Sequence, residues 1–276
     1  MTDFVWLYIA FGVIGVLAIV YLVLIAPTKN RKIKGYRSVL YAHRGLHGDG
    51  VAENSMTAFR LAVEREYGIE LDIRLSRDGR LVVFHDDTLE RVAGVEGRVD
   101  SYTAEELSKI RLLGTEDTVP LFSDVLKLVA GKVPLLVEIK EDAGKYGVSN
   151  AAAEMLGSYT GPYIIESFNP LSLGNVSKKL PDVPRGILSQ NYMREKKYRK
   201  PLYFALGALL LNRVCKPSFI AYNHVDYRSL SLRIARRIFG AVTFAWTVRS
   251  AEEERCAKAH GFDGIIFEGY IPEEDK

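Results

Sequence analysis

Cysteine is scarce in this 276-residue chain. Its two cysteines, Cys215 and Cys256, cannot build a disulfide framework or a four-thiolate zinc site, and we expect both to be buried free thiols. A large excess of charge is also missing, since 37 Lys and Arg residues are balanced by 34 Asp and Glu residues. Residues 1–37 hold five of the basic residues and one of the acidic residues. The rest of the chain therefore has 32 basic and 33 acidic residues. Because this remainder is nearly neutral, we expect no nucleic-acid partner.

Charged residues are absent from Phe4 to Ala26, a run of 23 positions near the N-terminus. As a helix this run reaches about 34 Å, enough to cross a hydrocarbon core of about 30 Å. A signal peptide cleaved near Ala26 is the alternative. It is disfavoured because Asp3, with no Lys or Arg, precedes the run, and because the run is longer than a signal peptide requires. We therefore predict one N-terminal transmembrane helix.

A basic flank follows the apolar run after Pro27. Its five basic residues are Lys29, Arg31, Lys32, Lys34 and Arg37. By the positive-inside rule such a flank stays in the cytoplasm, so we expect a single-pass membrane protein with a cytoplasmic body. Basic side chains at this place also attract anionic lipid, which makes membrane lipid an expected partner. We assign residues 1–37 to the anchor and its flank and residues 38–276 to the body.

The body alternates short β-rich runs with helical stretches. Eight runs predict buried strands, at 38–42, 69–75, 133–139, 163–166, 185–188, 219–222, 242–247 and 264–267, with a hairpin partner at 81–84. Helical patterns lie at 55–65, 101–111, 122–129, 151–158, 170–179, 229–239 and 251–259. Eight strands with helices between them predict an α/β fold, the TIM (β/α)₈ barrel. An open doubly wound sheet is the alternative, but no Gly-x-Gly-x-x-Gly turn follows the first strand.

Residues 193–218 do not follow this alternation. Five basic residues between positions 194 and 200 precede Leu202–Leu211, ten positions without charge. Ten apolar residues are too few to span a bilayer. They predict either a buried helix or a helix that lies at the membrane surface beside the anchor.

Acidic residues occur at the ends of two predicted strands. Glu70 and Asp72 are two positions apart, so their side chains lie on one face of the strand, and Glu138 and Lys140 repeat this spacing. Glu70, Asp72 and Glu138 together offer three oxygen ligands, the donor type that Mg²⁺ and Ca²⁺ prefer. The pattern indicates a site for one divalent cation, Mg²⁺ or Ca²⁺.

Histidines and cations also stand at strand ends. His43 and Arg44 follow the first strand, and His85 follows the hairpin strand. Two histidines can remove one proton and deliver another near neutral pH, while Arg44 and Lys140 can hold a phosphate. A cation site, two basic residues and two histidines together predict the cleavage of a phosphodiester.

The motifs resemble those of the glycerophosphodiester phosphodiesterase family over about residues 39–272. They are Ala42-His43-Arg44-Gly45, Glu53-Asn54-Ser55, Glu70-Leu71-Asp72-Ile73, Phe84-His85-Asp86, Val137-Glu138-Ile139-Lys140, Ser167-Phe168, Ala245-Trp246-Thr247-Val248 and Gly261-Phe262-Asp263-Gly264-Ile265-Ile266. The resemblance implies a TIM barrel with a small insertion after the second strand, at about 83–121. It further implies hydrolysis of glycerophosphodiesters to glycerol 3-phosphate and an alcohol, with attack by the substrate's own glycerol 2-hydroxyl.

The resemblance also implies roles for individual residues. The acid–base pair would be His43 and His85, and the metal ligands would be Glu70, Asp72 and Glu138. The residues that contact phosphate or substrate would be Arg44, Lys140, Glu53, Phe168 and Trp246. The chain departs from the family at Phe267-Glu268-Gly269-Tyr270, where Thr-Asp is usual, which leaves substrate choice open.

Two alternatives remain for the function. The anchor favours a membrane-derived substrate, so cleavage of lysophospholipids by a lysophospholipase D reaction is the first. A catalytically silent module that binds phosphorylated headgroups is the second, but all five of the expected catalytic and metal-binding residues are present. We expect His47 and Asp49 to lie in a solvated loop, and His224 and His260 to be structural.

Overall fold

The computed structural model describes the backbone of residues 2–272 and the side chains of residues 5–272; residues 273–276 of the assigned body lie outside this range. Nine strands form one sheet: β1 (Leu40–Ala42), β2 (Gly68–Leu75), β3 (Leu81–Val83), β4 (Leu135–Ile139), β5 (Tyr163–Ser167), β6 (Arg185–Ser189), β7 (Phe219–Asn223), β8 (Val242–Val248) and β9 (Gly264–Phe267). All except β3 pair in parallel, and β1 pairs with both β2 and β9, which closes a barrel of eight strands. The predicted TIM barrel is confirmed, and β3 pairs antiparallel with β2 as the expected hairpin partner.

The helices of the described chain surround this barrel. They are α1 (Thr2–Ile25), α2 (Met56–Glu64), α3 (Glu90–Ala93), α4 (Ala104–Leu107), α5 (Phe122–Val129), α6 (Gly147–Gly157), α7 (Pro170–Lys179), α8 (Pro201–Gly207), α9 (Asn212–Cys215), α10 (Leu230–Phe239) and α11 (Ala251–Ala259). The bounds of α5, α7 and α11 agree with the sequence prediction. Both cysteines are free, as expected, but only Cys215 is buried. The prediction that Cys256 is buried was wrong, because this residue lies on the exposed side of α11.

The predicted helix at 101–111 is much shorter than expected. Thr103 and Glu106 do form a capping box, as the sequence indicates, but α4 ends after one turn. The chain then turns back, and the backbone N–H of Leu112 donates to the carbonyl of Asp117. Leu112 is buried there in a cluster within residues 82–119 that is separate from the barrel core. Burial in this cluster competes with continuation of the helix.

Large aromatic side chains fill the amino-terminal end of the barrel. Tyr41, Phe219 and Phe244 are fully buried inside it, and the Phe244 ring contacts the rings of the other two. Gly186 leaves room for them, because a Cβ there would lie 2.1 Å from the Phe219 ring. The interior is therefore closed at this end, and an open cavity can form only at the carboxyl ends of the strands.

Helix α1 is the one helix among residues 2–272 that is long and apolar enough to cross a membrane, a property that signal sequences share. Its last turn packs on the barrel: Tyr21 Oη lies 2.8 Å from Ser231 Oγ, and Asn212 donates to the carbonyl of Ile25. Thr28 N then donates to the carbonyl of Pro217. Ser231 follows the carboxyl end of β7 and Pro217 precedes its amino end. Helix α1 therefore runs antiparallel to the strands, and its exposed residues 5–20 extend past their carboxyl ends.

The basic flank passes under the opposite end of the barrel. Asn30 donates to the carbonyl of Asp182, Ile33 is buried, and Tyr36 donates to the carbonyl of Tyr163. Asp182 and Tyr163 both lie at the amino ends of strands. The flank thus fixes the end of α1 to the barrel.

Residues 193–218 form two short 3₁₀ turns, α8 and α9 rather than one helix. Helix α8 ends at Gly207, where a Cβ would lie 2.8 Å from the carbonyl oxygen of Gln190. Leu209 is buried beyond this break, whereas Leu202 and Phe204 are more than half exposed. Of the two alternatives, the single buried helix was therefore wrong, because the segment bends and divides its apolar residues between core and surface, and the helix at the membrane surface stays a prediction.

Candidate active site

A cavity of about 320 Å³ opens at the carboxyl ends of the barrel strands. It is lined by eight of the ten residues that the sequence indicates: His43, Arg44, Glu70, His85, Glu138, Lys140, Phe168 and Trp246. The other two adjoin it, since Asp72 contacts Lys140 and Glu53 contacts Arg44. The structure therefore brings all ten residues together.

Three carboxylates form the floor of this cavity. Glu70 and Asp72 lie on β2, and Asp72 is directly opposite Glu138 of β4 in the strand register. All three are at most 6% exposed, and one oxygen from each lies within 4.8 Å of the others. Such a group of oxygen donors fits one divalent cation.

The buried position of these carboxylates changes their pKa values. Burial raises the pKa of Glu138 to about 7, against the opposing charge of Lys140. Burial also raises the pKa of Glu70 well above its usual range, and the charge of Asp72 adds to the effect. Burial favours the neutral form of Asp72 too, but the positive charges around it, led by that of Lys140, together hold its pKa well below the usual range. Since three crowded carboxylates resist full ionisation, a bound cation would relieve their repulsion, and the site fits a divalent metal.

Two basic side chains border the carboxylates. Lys140 Nζ lies 3.1 Å from Asp72 Oδ1 and 2.8 Å from Glu138 Oε1. Arg44 Nε lies 3.5 Å from Asp72 Oδ2, and its Nη1 donates to Glu53 Oε1 at 2.7 Å. Both cations are held at the cavity by these partners, where they can bind an anion.

The loop after β1 is shaped by its contacts with the carboxylates. The backbone N–H of Arg44 donates to Glu70 Oε2, and the Asn54 side chain donates to Asp72 Oδ2 at 2.8 Å. Arg44 and Asn54 both have a left-handed backbone, with φ of 55° and 54°. Gly45 follows with φ of 79°, and a Cβ there would lie 2.8 Å from Ala58 Cβ. These contacts explain why Arg44, Gly45 and Asn54 occupy their positions in the His-Arg-Gly and Glu-Asn motifs.

Each of the two predicted histidines has a carboxylate on its Nδ1 atom. His43 Nδ1 lies 2.9 Å from Glu268 Oε2, and His85 Nδ1 lies 2.6 Å from Asp86 Oδ1. The hydrogen bond from His43 holds the pKa of Glu268 at about 2, and bonds from Arg91 and His85 hold that of Asp86 at about 2 despite its burial. Ionised carboxylates on Nδ1 favour the tautomer with a free Nε2, the atom that a base uses.

Burial lowers the pKa of both histidines. The pKa of His43 is lowered although its bond to Glu268 opposes the shift, and that of His85 falls to about 4. The positive charges of Lys140 and Arg44 add to the effect at His85, against the charge of Asp72. Both imidazoles are thus neutral near pH 7 and able to accept a proton.

A chain of ion pairs joins His85 to Arg44. Asp86 Oδ2 accepts from Arg91 Nε at 2.5 Å, and Arg91 also donates twice to Glu53, at 2.7 and 2.9 Å. Glu53 in turn holds Arg44. Because Glu53 is shared, the orientation of His85 and the position of Arg44 depend on the same contacts.

Aromatic side chains form one wall of the cavity. The rings of Phe168 and Trp246 meet edge to face with centroids 5.4 Å apart, and Lys140 Nζ lies 5.9 Å from the Phe168 centroid. Trp246 Nε1 is buried without a hydrogen-bond partner in the described part of the chain.

The model of the glycerophosphoryl diester phosphodiesterase family matches residues 43–269. A glycerophosphodiester phosphodiesterase of Caldanaerobacter subterraneus is 33% identical over 247 residues, which cover 83% of this chain and 93% of the relative. The chain belongs to this family. The matching fold occurs in the glycerophosphodiester phosphodiesterase structure from Thermotoga maritima, at 25% identity and a TM-score of 0.65 over 83% of this chain and 94% of the other. An Oleispira antarctica phosphodiesterase in complex with its product sn-glycerol-3-phosphate has the same fold, at a TM-score of 0.71 and 19% identity over 85% and 94% of the two chains.

Several residues of this glycerophosphodiester phosphodiesterase site were missed by the sequence analysis. Asp86 was named only as part of the Phe84-His85-Asp86 motif and was given no role, Arg91 was not considered, and Glu268 was noted only as a departure from the family pattern. Glu166, at the end of β5, lines the cavity as a fourth buried carboxylate; burial raises its pKa well above the usual range. Its place at a strand end was the available signal. The expected solvated loop holds for Asp49, which is exposed, but not for His47, which is partly buried beside His43.

Proposed function

We propose that this glycerophosphodiester phosphodiesterase is a metal-dependent enzyme in which His43 and His85 are the acid–base pair. The observation that carries the proposal is the matched environment of the two imidazoles. Each has Nδ1 on an ionised carboxylate, each lines the same cavity, and the carboxylate floor lies beside them. His43 Nε2, for example, is 3.9 Å from Glu70 Oε2.

The divalent cation would be held by Glu70, Asp72 and Glu138. When bound, it supplies positive charge that stabilises the phosphoryl oxygens as they become more negative. Three carboxylates and no nitrogen ligand favour Mg²⁺ or Ca²⁺. Arg44 and Lys140 would bind the remaining phosphate oxygens.

The substrate is a glycerophosphodiester, and its phosphate is placed between the two imidazoles. One histidine removes the proton of the attacking hydroxyl. The other must first bind a proton at its Nε2 atom, which it then gives to the oxygen of the departing alcohol. Glu268 and Asp86 keep the rings oriented, while Glu53 positions Arg44. Phe168 and Trp246 exclude water from one side and contact the glycerol or the alcohol. The product complex of the Oleispira enzyme with sn-glycerol-3-phosphate supports this choice of substrate.

The test is release of glycerol 3-phosphate from glycerophosphocholine by the full chain in detergent, with Mg²⁺, with Ca²⁺ and with a chelator. We expect the chelator to abolish release. His43→Gln and His85→Gln should each lower turnover by about 10²–10⁴-fold. His260→Gln is the matched control, since this histidine lies at the end of α11, away from the cavity. Near-normal turnover of both variants would contradict the acid–base assignment.

We further propose that the enzyme works at a membrane surface. Because α1 extends past the carboxyl ends of the strands, a membrane around its exposed part would lie on the side of the cavity. Exposed Leu202 and Phe204 of α8 occupy the same end of the barrel. Basic residues precede them at Arg194, Lys196, Lys197, Arg199 and Lys200. An apolar surface beside basic side chains is typical of contact with anionic lipid.

We propose the same division of the chain into anchor, barrel and insertion as the sequence predicts. Residues 1–37 act as anchor and flank, residues 38–276 as the barrel, and residues 83–121 as its insertion. The body is proposed to face the cytoplasm. Protease should digest it only after the membrane is opened, and digestion in intact cells would contradict this orientation.

The membrane contact can be measured with an environment-sensitive fluorophore on a single introduced cysteine, in a Cys256→Ser background because Cys256 is a free and exposed thiol. A label at Phe204 should shift its emission when the chain is reconstituted into anionic vesicles. A label at Glu66, an exposed residue at the amino end of β2, is the matched control and should not shift. Equal responses at the two positions would refute the proposed orientation of the barrel.

A second candidate substrate is a lysophospholipid. A largely apolar groove of about 890 Å³ lies between α1, α8 and α10, lined among others by Tyr21, Phe204, Leu210 and Leu230. Its residue Asn191 adjoins Gln190 of the catalytic cavity, so one acyl chain could occupy the groove while the phosphate reaches the histidines. Ala208→Trp, which fills the groove, should then slow cleavage of lysophosphatidylcholine but not of glycerophosphocholine. Equal effects on both substrates would remove this candidate.

A further inference from the structure

A second group of metal-ligand side chains lies beside the carboxylate floor. One nitrogen of His43, one nitrogen of His47 and one carboxylate oxygen of Glu268 all lie within 4.8 Å of one another. His43 Nδ1 and Glu268 Oε2 are already 2.9 Å apart. This group is distinct from the three carboxylates, since it shares none of their side chains.

His47 has no role in the proposed reaction, yet its side chain is turned inward. Its Nε2 atom is buried and has no hydrogen-bond partner in the described part of the chain. A buried polar nitrogen without a partner is unfavourable, because it has lost its hydrogen bonds to water and gained none in the protein. A metal ion that accepts a lone pair from a His47 nitrogen would give this side chain the partner that it lacks.

The donor types indicate which ligand fits. Two imidazole nitrogens and one carboxylate oxygen suit Zn²⁺ and neighbouring transition metals, whereas the all-oxygen floor suits Mg²⁺ or Ca²⁺. Bonds to Zn²⁺ are about 2.0–2.2 Å long, so its ligand atoms are about 3.3 Å apart in a tetrahedral site. The three atoms lie within 4.8 Å of one another, so small side-chain rotations would bring them to that geometry. Arg249 lies 3.1 Å from Glu268, but its side chain is 61% exposed and can turn into solvent.

We propose that His43, His47 and Glu268 bind a transition-metal ion such as Zn²⁺, and that the bound ion inhibits the phosphodiesterase. The inhibitory part rests on the proposed role of His43. A metal on Nδ1 of this imidazole needs the lone pair of that atom, so the hydrogen bond to Glu268 is lost and the ring proton moves to Nε2. Nε2 of His43 then carries a hydrogen and cannot accept the proton of the attacking hydroxyl, although the carboxylate floor keeps its own cation.

The binding test uses Co²⁺, whose visible absorption reports nitrogen and oxygen coordination without turnover. The full chain in detergent is titrated with Co²⁺ in a large excess of Mg²⁺, which saturates the carboxylate floor. His47→Gln should weaken Co²⁺ binding by at least about 100-fold, the upper range for loss of a supporting residue at a metal site. His224→Gln is the matched control, because this histidine also lies near a carboxylate, 3.6 Å from Glu253, but outside the group. It should leave Co²⁺ binding unchanged.

The inhibition test measures turnover against Zn²⁺ at saturating Mg²⁺. His47→Gln should keep the turnover of the unmodified chain without Zn²⁺ and should move the inhibitory Zn²⁺ concentration upward by a similar factor. Equal Co²⁺ affinity in the His47→Gln variant and the unmodified chain would overturn the site. Equal Zn²⁺ inhibition would overturn its regulatory role and point to displacement of Mg²⁺ from the floor. Because Co²⁺ binding needs no turnover, an inactive chain that binds Co²⁺ through His47 would refute the proposed function and not the site.

Discussion

Binding of a divalent cation to the carboxylate floor should release protons near neutral pH. The pKa of Glu138 is raised by burial to about 7, and that of Glu70 is raised by burial well above its usual range. The pKa of Asp72 is lowered in spite of its burial, because the positive charges around it, led by that of Lys140, together outweigh the burial, so this carboxylate is ionised near neutral pH. A cation binds the ionised carboxylates, so it must displace the protons that Glu138 and Glu70 hold.

The size of the effect follows from these pKa values. A group with a pKa of about 7 is roughly nine-tenths ionised at pH 8 and roughly one-tenth ionised at pH 6, so it alone weakens binding by about tenfold over that interval. Glu70, whose pKa is also raised by burial, adds a second proton that the cation must displace, so the expected loss is greater than that from Glu138 alone. The affinity for the cation therefore rises with pH, because the site without a cation holds protons that binding must displace.

Calorimetry can measure both the affinity and the released protons. Mg²⁺ and Ca²⁺ are titrated into the full chain at about pH 6 and about pH 8, in two buffers with different ionisation enthalpies. The difference in heat between the buffers gives the number of protons released. Glu138→Gln is the matched variant: it should bind more weakly but lose less affinity between the two pH values. Constant affinity and equal heats in both buffers would refute the reasoning, because they would show carboxylates that are fully ionised before the cation binds.

Two further predictions concern the histidine partners and the loop after β1. In the Asp86→Asn variant, Arg91 keeps the amide oxygen on its own side, so the amide NH₂ group donates to His85 Nδ1 and favours the tautomer with a hydrogen on Nε2. Turnover should therefore fall by about 100-fold or more. An unchanged kcat would show that Asp86 does not orient the ring. Gly45→Ala should lower the free energy of unfolding by about 2–4 kcal/mol in chemical denaturation, because its positive φ is combined with a 2.8 Å steric contact. Gly79→Ala, with φ of 75° and no atom within 4 Å, should cost only about 1 kcal/mol, and equal losses in the two variants would contradict the steric argument.

The barrel could be predicted because its strands are short, apolar and regularly spaced. Their observed bounds differ from the predicted ones by no more than two residues, since burial on both sides selects the same residue types that the sequence pattern detects. The pattern was less informative where burial is local. At 101–111 the capping box marked the start of α4 correctly, but Leu112 is buried in a turn that no helical pattern indicates. The apolar run at 202–211 is interrupted at Gly207, because the chain there passes close to the backbone carbonyl of Gln190. No pattern in the sequence indicates this contact.

The carboxylates of the site could be predicted from the sequence because they lie on neighbouring strands of the barrel. Glu70 and Asp72 could be placed on one face of a strand by their spacing, and Glu138 could be placed near them because the strands at 69–75 and 133–139 are neighbours in a parallel barrel. The partners of the histidines could not. Glu268 is 225 positions from His43, and its contact depends on the closure of β9 against β1. No spacing in the sequence encodes a contact of that kind.

Charge balance gives the strongest physical reason for a cation in the cavity. The buried ionisable groups there are four carboxylates and two cations: Glu70, Asp72, Glu138, Glu166, Arg44 and Lys140. If all six were ionised, the group would carry a net charge of about −2, which a protein interior tolerates poorly. Protonation of Glu70 and Glu166, whose pKa values are raised by burial, is one way to remove this charge. Binding of one divalent cation is the other, and it leaves the carboxylates ionised as ligands. The same residues that repel one another without a cation are therefore the ones that should select a doubly charged ion over a singly charged one.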